Sequence, residues 1–292
     1  MCLAAKLAVC SGIYTCPINY IDIMNSNVKS RKLGSGWTAQ VFEEREGKAV
    51  KLFAPWVQRS LVENEYRSMR YAYENGLPVP RADELKNDGT RCRIIMERIY
   101  GRSMMRDTMF CNKPKLAVYA RTLADLHVRI HAVKAPPEIS SIHQNLKQRI
   151  ESVGELSATA RRAVLTILES LPAGDVLCHF DLHVNNVIMS PSGPVIIDWM
   201  GALKGPPEAD VARTWLLCTL FPVTPVLRNY LYRRYSYFYE QYLEKYVSLN
   251  PINNALMERW KIPVLAARII EERKSTRKKF LLKVLEERLK TV

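Results

Sequence analysis

A chain of 292 residues, 48% hydrophobic, has enough apolar mass for a two-lobed domain or two small domains. Its net charge of +14 raises nucleic acid or an anionic surface as partners, but Lys and Arg are scattered and gather mainly after residue 258, which reads first as solvated faces. The seven cysteines (2, 10, 16, 92, 111, 178, 218) form no Cys-x-x-Cys pair and no dense framework, which argues against a disulfide scaffold or a cysteine metal site and for reduced thiols in the cytoplasm.

Residues 1–23 are apolar with a single Lys and imitate a signal peptide weakly, lacking a basic start and a clear cleavage site. Met24 is the expected functional start, with residues 1–23 disordered or foreign to the native protein and residues 1–30 as a whole an N-terminal extension. No run of about 18 apolar residues occurs; Arg213, Pro222 and Pro225 interrupt the best candidate, so no membrane span is expected.

From Lys32 the sequence predicts a strand, a Gly-Ser-Gly turn (Gly34, Ser35, Gly36) and a returning strand through Val41. A Glu-Gly turn at 46–47 then leads to a third strand carrying Lys51. A helix is expected from about Val57 to Asn75, ending at Gly76, with Glu63 and Glu65 near its start. Strands near Arg81–Leu85 and Thr90–Met96 flank an Asn-Asp-Gly turn. Lys115–His131 is strongly helix-periodic, and further helices are expected over Ile139–Val153, behind Ser157 to Leu171, and over Tyr230–Tyr246, Asn254–Arg273 and Ser275–Lys290. His127 and His131 stand one helical turn apart, but no Glu follows the first, so a core or capping role is expected rather than zinc.

The stretch from Cys178 to Trp199 carries the chemistry. Two apolar runs, Val187–Met189 and Val195–Ile197, joined by a Ser-Pro-Ser-Gly turn, predict a hairpin with Asp181 and Asn186 before it and Asp198 after it. One carboxylate that orients an acceptor hydroxyl, with a carboxamide and a second carboxylate as hard oxygen ligands for magnesium, is the set phosphoryl transfer needs.

His179-x-Asp181-x-x-x-x-Asn186, followed by Asp198-Trp199, resembles the aminoglycoside phosphotransferase and choline kinase-like superfamily. Protein kinases proper fit less well, because Phe180 stands where they usually carry Arg and no Asp-Phe-Gly follows. The resemblance implies an α+β, bilobal protein kinase-like fold. A small antiparallel N-lobe with one helix would span 31–98, and a larger, mostly α-helical C-lobe 99–292. It further implies ATP and Mg2+ as cofactors, with Asp181 catalytic and Asn186 and Asp198 on the metal. Gly34, Ser35, Gly36 and Val41 would cover the phosphates, Ala39 replacing the third glycine of the kinase loop. Lys51 would grip the phosphates with Glu65, chosen over Glu63, as its partner. Met96, Glu97 and Ile99 would form the adenine-binding hinge, while His179 and Asp210 support the catalytic loop. Tyr235, Tyr239, Glu240, Tyr242 and Glu244 are candidates for an acceptor pocket.

The expected function is transfer of the γ-phosphate of ATP to a hydroxyl of a small molecule of aminoglycoside, choline-like, thiamine or sugar type. Two other readings stand beside it: a nucleotide-binding regulator without turnover, and nucleic-acid binding through Arg273, Lys274, Arg277, Lys278 and Lys279. The complete set of Lys51, Asp181, Asn186 and Asp198 weighs against the first. Glu271, Glu272, Glu286 and Glu287, interspersed among the basic residues, weigh against the second.

Overall fold

The computed structural model describes residues 31–45, 47–220 and 225–290; the expected extension over 1–30, and Met24 within it, lie outside the described residues. The described residues group into two compact units, one formed by those from 31 to 103 together with 187–200, the other by those from 104 to 186 and from 201 to 290. A linear division at residue 98 leaves 187–200 with the later region, whereas its packing groups it with the earlier one.

The first unit is built on a five-stranded antiparallel sheet of β1 (Lys32–Ser35), β2 (Ala39–Glu43), β3 (Lys48–Phe53), β4 (Ala82–Asn87) and β5 (Cys92–Glu97), in the order β1-β2-β3-β5-β4. Its helix, α1 (Arg59–Glu74), buries Val62, Glu65, Ser68, Met69 and Ala72. That spacing is a single helical stripe, which turns one carboxylate inward among apolar neighbours. Gly76, at φ 74°, ends the helix in a conformation that favours glycine. In the Asn87–Thr90 turn, Asp88 Oδ1 accepts from the Thr90 and Arg91 amides. A second small sheet joins β6 (Arg102–Ser103) to the expected hairpin, which forms as β8 (Val187–Ser190) and β9 (Gly193–Ile196).

The second unit contains α2 (Met104–Phe110), α3 (Lys113–His131), α4 (Ile142–Ser152), α5 (Ala158–Ser170), α6 (Pro207–Thr219), α7 (Pro225–Leu249), α8 (Asn254–Arg268) and α9 (Ser275–Leu289). A two-stranded pair, β7 (Val176–Cys178) with β10 (Leu203–Gly205), lies among them. Helix starts follow capping chemistry: the side chains of Asn112, Ser141, Ser157 and Asn253 each accept a backbone N–H of the first turn. Each such cap contributes about 1 kcal/mol. Helix α7 is longer than the periodicity indicates, and α8 stops at Arg268, where a 3-10 turn (Ile269–Glu271) replaces the expected continuation. The burial of Trp260 and Ile262–Ala267 makes α8 the centre of this unit. Among the described residues no helix is long and apolar enough to cross a membrane.

Candidate functional site

In the first unit the chemistry gathers on Lys51. Its strand lies mid-sheet, paired at Val41 of β2 and Ile94 of β5, so the side chain is removed from water. Lys51 Nζ donates to Glu65 Oε1 at 2.5 Å and to Asp198 Oδ1 at 2.8 Å. Burial alone would lower the lysine's pKa, but the carboxylates of Asp198 and Glu65 outweigh it and hold the ammonium above its ordinary range. Burial pushes the Glu65 carboxyl up to about 7 against the pull of Lys51. Glu63 takes no part: it pairs with Arg59 and Arg67 along the helix.

Asp198 follows the β8–β9 hairpin at φ 67°, and its side chain is 40% exposed. Together with Phe180 (φ 58°) it forms the pair of described non-glycine residues with left-handed backbone. Such conformations cost on the order of 1–3 kcal/mol each and gather at functional segments. Asn64 Nδ2 donates to the Met200 carbonyl at 3.3 Å, tying the segment after Asp198 to α1.

Gly34 pairs with Val41, Ser35 with Gln40, and the Gly36 N–H donates to the Ala39 carbonyl at 2.8 Å. Neither glycine has positive φ, a Cβ on Gly34 would meet nothing within 4 Å, and one on Gly36 would meet only the Ala39 carbonyl at 3.7 Å. Among the described residues nothing therefore demands glycine at these positions. At the end of β5, Met96 and Ile99 are half-buried, while Glu97 is exposed and accepts the Arg81 amide at 3.2 Å.

In the second unit the loop after β7 is held from within. His179 is fully buried. The Phe180 N–H donates to Asp210 Oδ1 at 3.0 Å, which accounts for a bracing carboxylate at 210. Asp210 Oδ2 lies 3.1 Å from His127 Nε2 and 3.3 Å from His131 Nε2. The Nδ1 atoms of those rings meet the hydroxyls of Tyr242 and Tyr246, each at 2.6 Å. Tyrosine hydroxyls donating to Nδ1 leave the Nε2 protons for the carboxylate. Burial alone would raise the Asp210 pKa, but His127 and His131 outweigh it and hold the carboxyl well below its usual range. Burial, aided by His131, lowers His127 to about 4. The state these shifts define is an ionised Asp210 beside a neutral His127. The three ligand-type atoms lie within 4.8 Å of one another, a spacing a cation would accept, but their tyrosine and backbone partners make them a hydrogen-bonded core.

Asn186, in the 3-10 turn Val184–Asn186, donates through Nδ2 to the Asp181 carbonyl (2.9 Å) and to Asp181 Oδ2 (3.0 Å). The Asp181 side chain is 33% exposed, with His183 Nε2 at 3.8 Å. No sequence motif singles out Arg213, yet it reaches the same loop: its Nε donates to the Phe180 carbonyl at 3.2 Å, and its Nη2 lies 3.7 Å from Asp181 Oδ1.

The expected acceptor-pocket set does not share a surface. Tyr235 and Tyr239 are interior, their hydroxyls on the sulfurs of Met105 (3.0 Å) and Met257 (3.8 Å), and Tyr242 is occupied by His127. The helical stripe of 235, 238, 239, 242 and 246 is the buried face of α7, while Glu240 and Glu244 lie on its exposed side. On α9, Lys278 pairs with Glu155, Arg277 with Glu272 and Arg288 with Glu258, so these basic residues belong to ion-paired helix faces.

Solved structures share this architecture at low sequence identity. The chain is similar to a choline/ethanolamine kinase family protein from Mesorhizobium loti (12% identity, 97% of this chain and 94% of that one, TM-score 0.63). It is also similar to an aminoglycoside-3'-phosphotransferase of type VIII (17%, 85% and 97%, TM-score 0.61). A third is the aminoglycoside phosphotransferase APH(2")-IIa in a ternary complex with streptomycin and ATP (17%, 89% and 91%, TM-score 0.58). These likenesses define the class as a mixed α+β protein of protein kinase-like fold. Residues 29–246, most of the chain, match the model of the phosphotransferase enzyme family, and the protein belongs to that family. No curated protein sequence matches it.

Proposed function

We propose that this protein is a magnesium- and ATP-dependent kinase of a small-molecule hydroxyl, acting in the cytoplasm. The observation that carries the reading is Lys51, buried in mid-sheet and bonded to both Glu65 and Asp198. An ammonium held by two carboxylates is a fixed positive charge suited to phosphate oxygens. Gly34 and Gly36, which packing among the described residues does not require, carry no side chain that would keep a phosphate away from the backbone of this turn.

In this reading Met96, Glu97 and Ile99 receive adenine, with Ser35 and Val41 beside the phosphates. Asp198 offers a carboxylate oxygen, and Asn186, which bonds Asp181 through its side-chain nitrogen, offers its carboxamide oxygen. These donors suit magnesium, which when bound offsets charge on the phosphate oxygens. Asp181 orients the acceptor hydroxyl and takes its proton as the acceptor oxygen bonds to the γ-phosphorus and the bond to the ADP oxygen breaks. His179 and Asp210 keep the loop in place. The acceptor class is open among aminoglycoside-type, choline-like, thiamine and sugar hydroxyls.

A coupled ADP-release screen over small hydroxyl compounds tests the reading, run beside the Asp181→Asn variant. Turnover should fall on the order of 10²–10⁴-fold in the variant while nucleotide affinity stays within about twofold. Normal turnover in the variant would remove Asp181 from the mechanism. ATP binding with no turnover on any acceptor would leave a nucleotide-binding regulator instead.

A further inference from the structure

Arg213 lies on α6, almost one turn after Asp210, with its side chain 6% exposed. Its Nε donates to the Phe180 carbonyl at 3.2 Å, its Nη2 donates to Glu271 Oε2 at 2.8 Å, and its guanidinium sits 5.7 Å from the Phe180 ring centroid. The same Nη2 lies 3.7 Å from Asp181 Oδ1, within Coulomb reach but beyond hydrogen-bond length. Asp181 Oδ2 is already taken by Asn186 at 3.0 Å. One carboxylate oxygen is thus fixed by an amide, while the other faces a positive charge and keeps its acceptor capacity for a hydroxyl.

Glu271 holds Arg213 in turn. It is also ion-paired with Arg149 and Arg268, and although burial alone would raise its pKa, the guanidiniums of Arg213, Arg268 and Arg149 hold its carboxyl well below the usual range. Arg213 shares this carboxylate with the other two arginines. Of these three arginines, Arg213 is the one whose guanidinium also donates to the Phe180 carbonyl while lying 3.7 Å from Asp181 Oδ1. The guanidinium that position 180 lacks in sequence reaches the loop from α6.

We propose that Arg213, braced by Glu271, is a positioning residue for phosphoryl transfer: it holds the left-handed Phe180–Asp181 turn and keeps the Asp181 carboxylate aimed at the acceptor hydroxyl. This rests on the kinase reading above. Guanidinium recognition of a carbonyl and a carboxylate at once needs a planar fork that an ammonium cannot copy. A displacement of the acceptor-orienting carboxylate by about 1 Å can cost on the order of 10²-fold in rate.

The test uses the full chain, with ADP release measured on the best compound of the hydroxyl panel and on water as acceptor. Arg213→Gln should lower kcat on the order of 10–100-fold, leave the KM for ATP within about twofold, and recover part of the rate with free guanidinium. In an Asp181→Asn background the same change should add nothing, because it acts through Asp181. A kcat within about threefold of wild type, or effects of the two changes that multiply independently, overturns the assignment. If Arg213→Gln does not fold, Glu271→Gln retains Arg213 without its brace and should show a smaller loss in the same direction; an unchanged kcat there overturns the proposal equally. Absence of turnover in the wild type defeats the kinase reading itself. The brace is then decided by hydrogen exchange: peptides covering 179–186 should exchange about tenfold faster in Arg213→Gln while α3 is unchanged, and equal exchange refutes it.

Discussion

Acidification should expose the neutrality of His127. Its folded-state value is near 4 against an ordinary 6.5, so the unfolded chain takes up the proton first. The stability His127 contributes is therefore complete above 6.5 and is lost as pH falls toward 4. At about 1.4 kcal/mol per pH unit, moving from about pH 7 to about pH 5 removes on the order of 2 kcal/mol. Glu65 acts oppositely in the same window: its carboxyl is raised from 4.5 to about 7, so its contribution is complete below 4.5 and is lost as pH rises toward 7. The wild-type slope mixes the two effects, and a His127→Gln variant separates them. Glutamine accepts from Tyr242 and donates toward Asp210 without titrating. Urea unfolding of both proteins at about pH 7, 6 and 5 should show the variant gaining about 2 kcal/mol relative to wild type across that range. A difference constant to within about 0.5 kcal/mol would refute the assignment of a neutral, buried ring.

Asp210→Asn leaves one acceptor oxygen where the carboxylate served the Phe180 amide and two rings, and should cost about 3 kcal/mol in urea unfolding. An unchanged midpoint would show that the network does not depend on charge. Gly34→Ala meets open space, so the folded state should be unaffected or up to about 1 kcal/mol more stable. Calorimetric titration of the same variant with ATP and magnesium should show roughly tenfold weaker binding (about 1.4 kcal/mol); unaltered affinity would dissociate the glycine turn from phosphate. Gly205→Ala places a methyl group against the Ile142 side chain and should destabilise by about 1–3 kcal/mol, with Ile142→Val restoring part of the loss. A thermal midpoint equal to wild type would mean that β10 and α4 separate freely.

Elements whose formation depends on near neighbours were legible in the sequence. The Glu-Gly turn at 46–47 marked the strand of Lys51, Ser157 marked a helix start, and the turn at 190–193 marked the hairpin; the strand, the helix and the hairpin all form. Glu65 could be separated from Glu63 only by position, and the structure gives the reason: 65 falls on the stripe with Val62, Met69 and Ala72, while 63 does not. Arg213 was not legible, because its partners Phe180 and Glu271 lie 33 and 58 residues away and neither spacing follows a local period. Aromatic periodicity along α7 identified a face without telling what would cover it. The partners of Tyr235 and Tyr239 prove to be methionine sulfurs, a pairing no motif encodes.

The first unit takes described residues from 31 to 103 and then 187–200, so its last piece is translated more than eighty residues after the rest. The five-stranded sheet can close as soon as β5 emerges, but Arg102 and Ser103 must wait for Ile188 and Met189 before they have ladder partners. At 5–20 residues per second, that wait is on the order of 5–15 s on the ribosome. During it Lys51 and Glu65 must coexist without the second carboxylate, Asp198, which arrives last. Nascent chains stalled before residue 187 should therefore hold the five-stranded sheet with β6 still without its ladder, a natural substrate for chaperones.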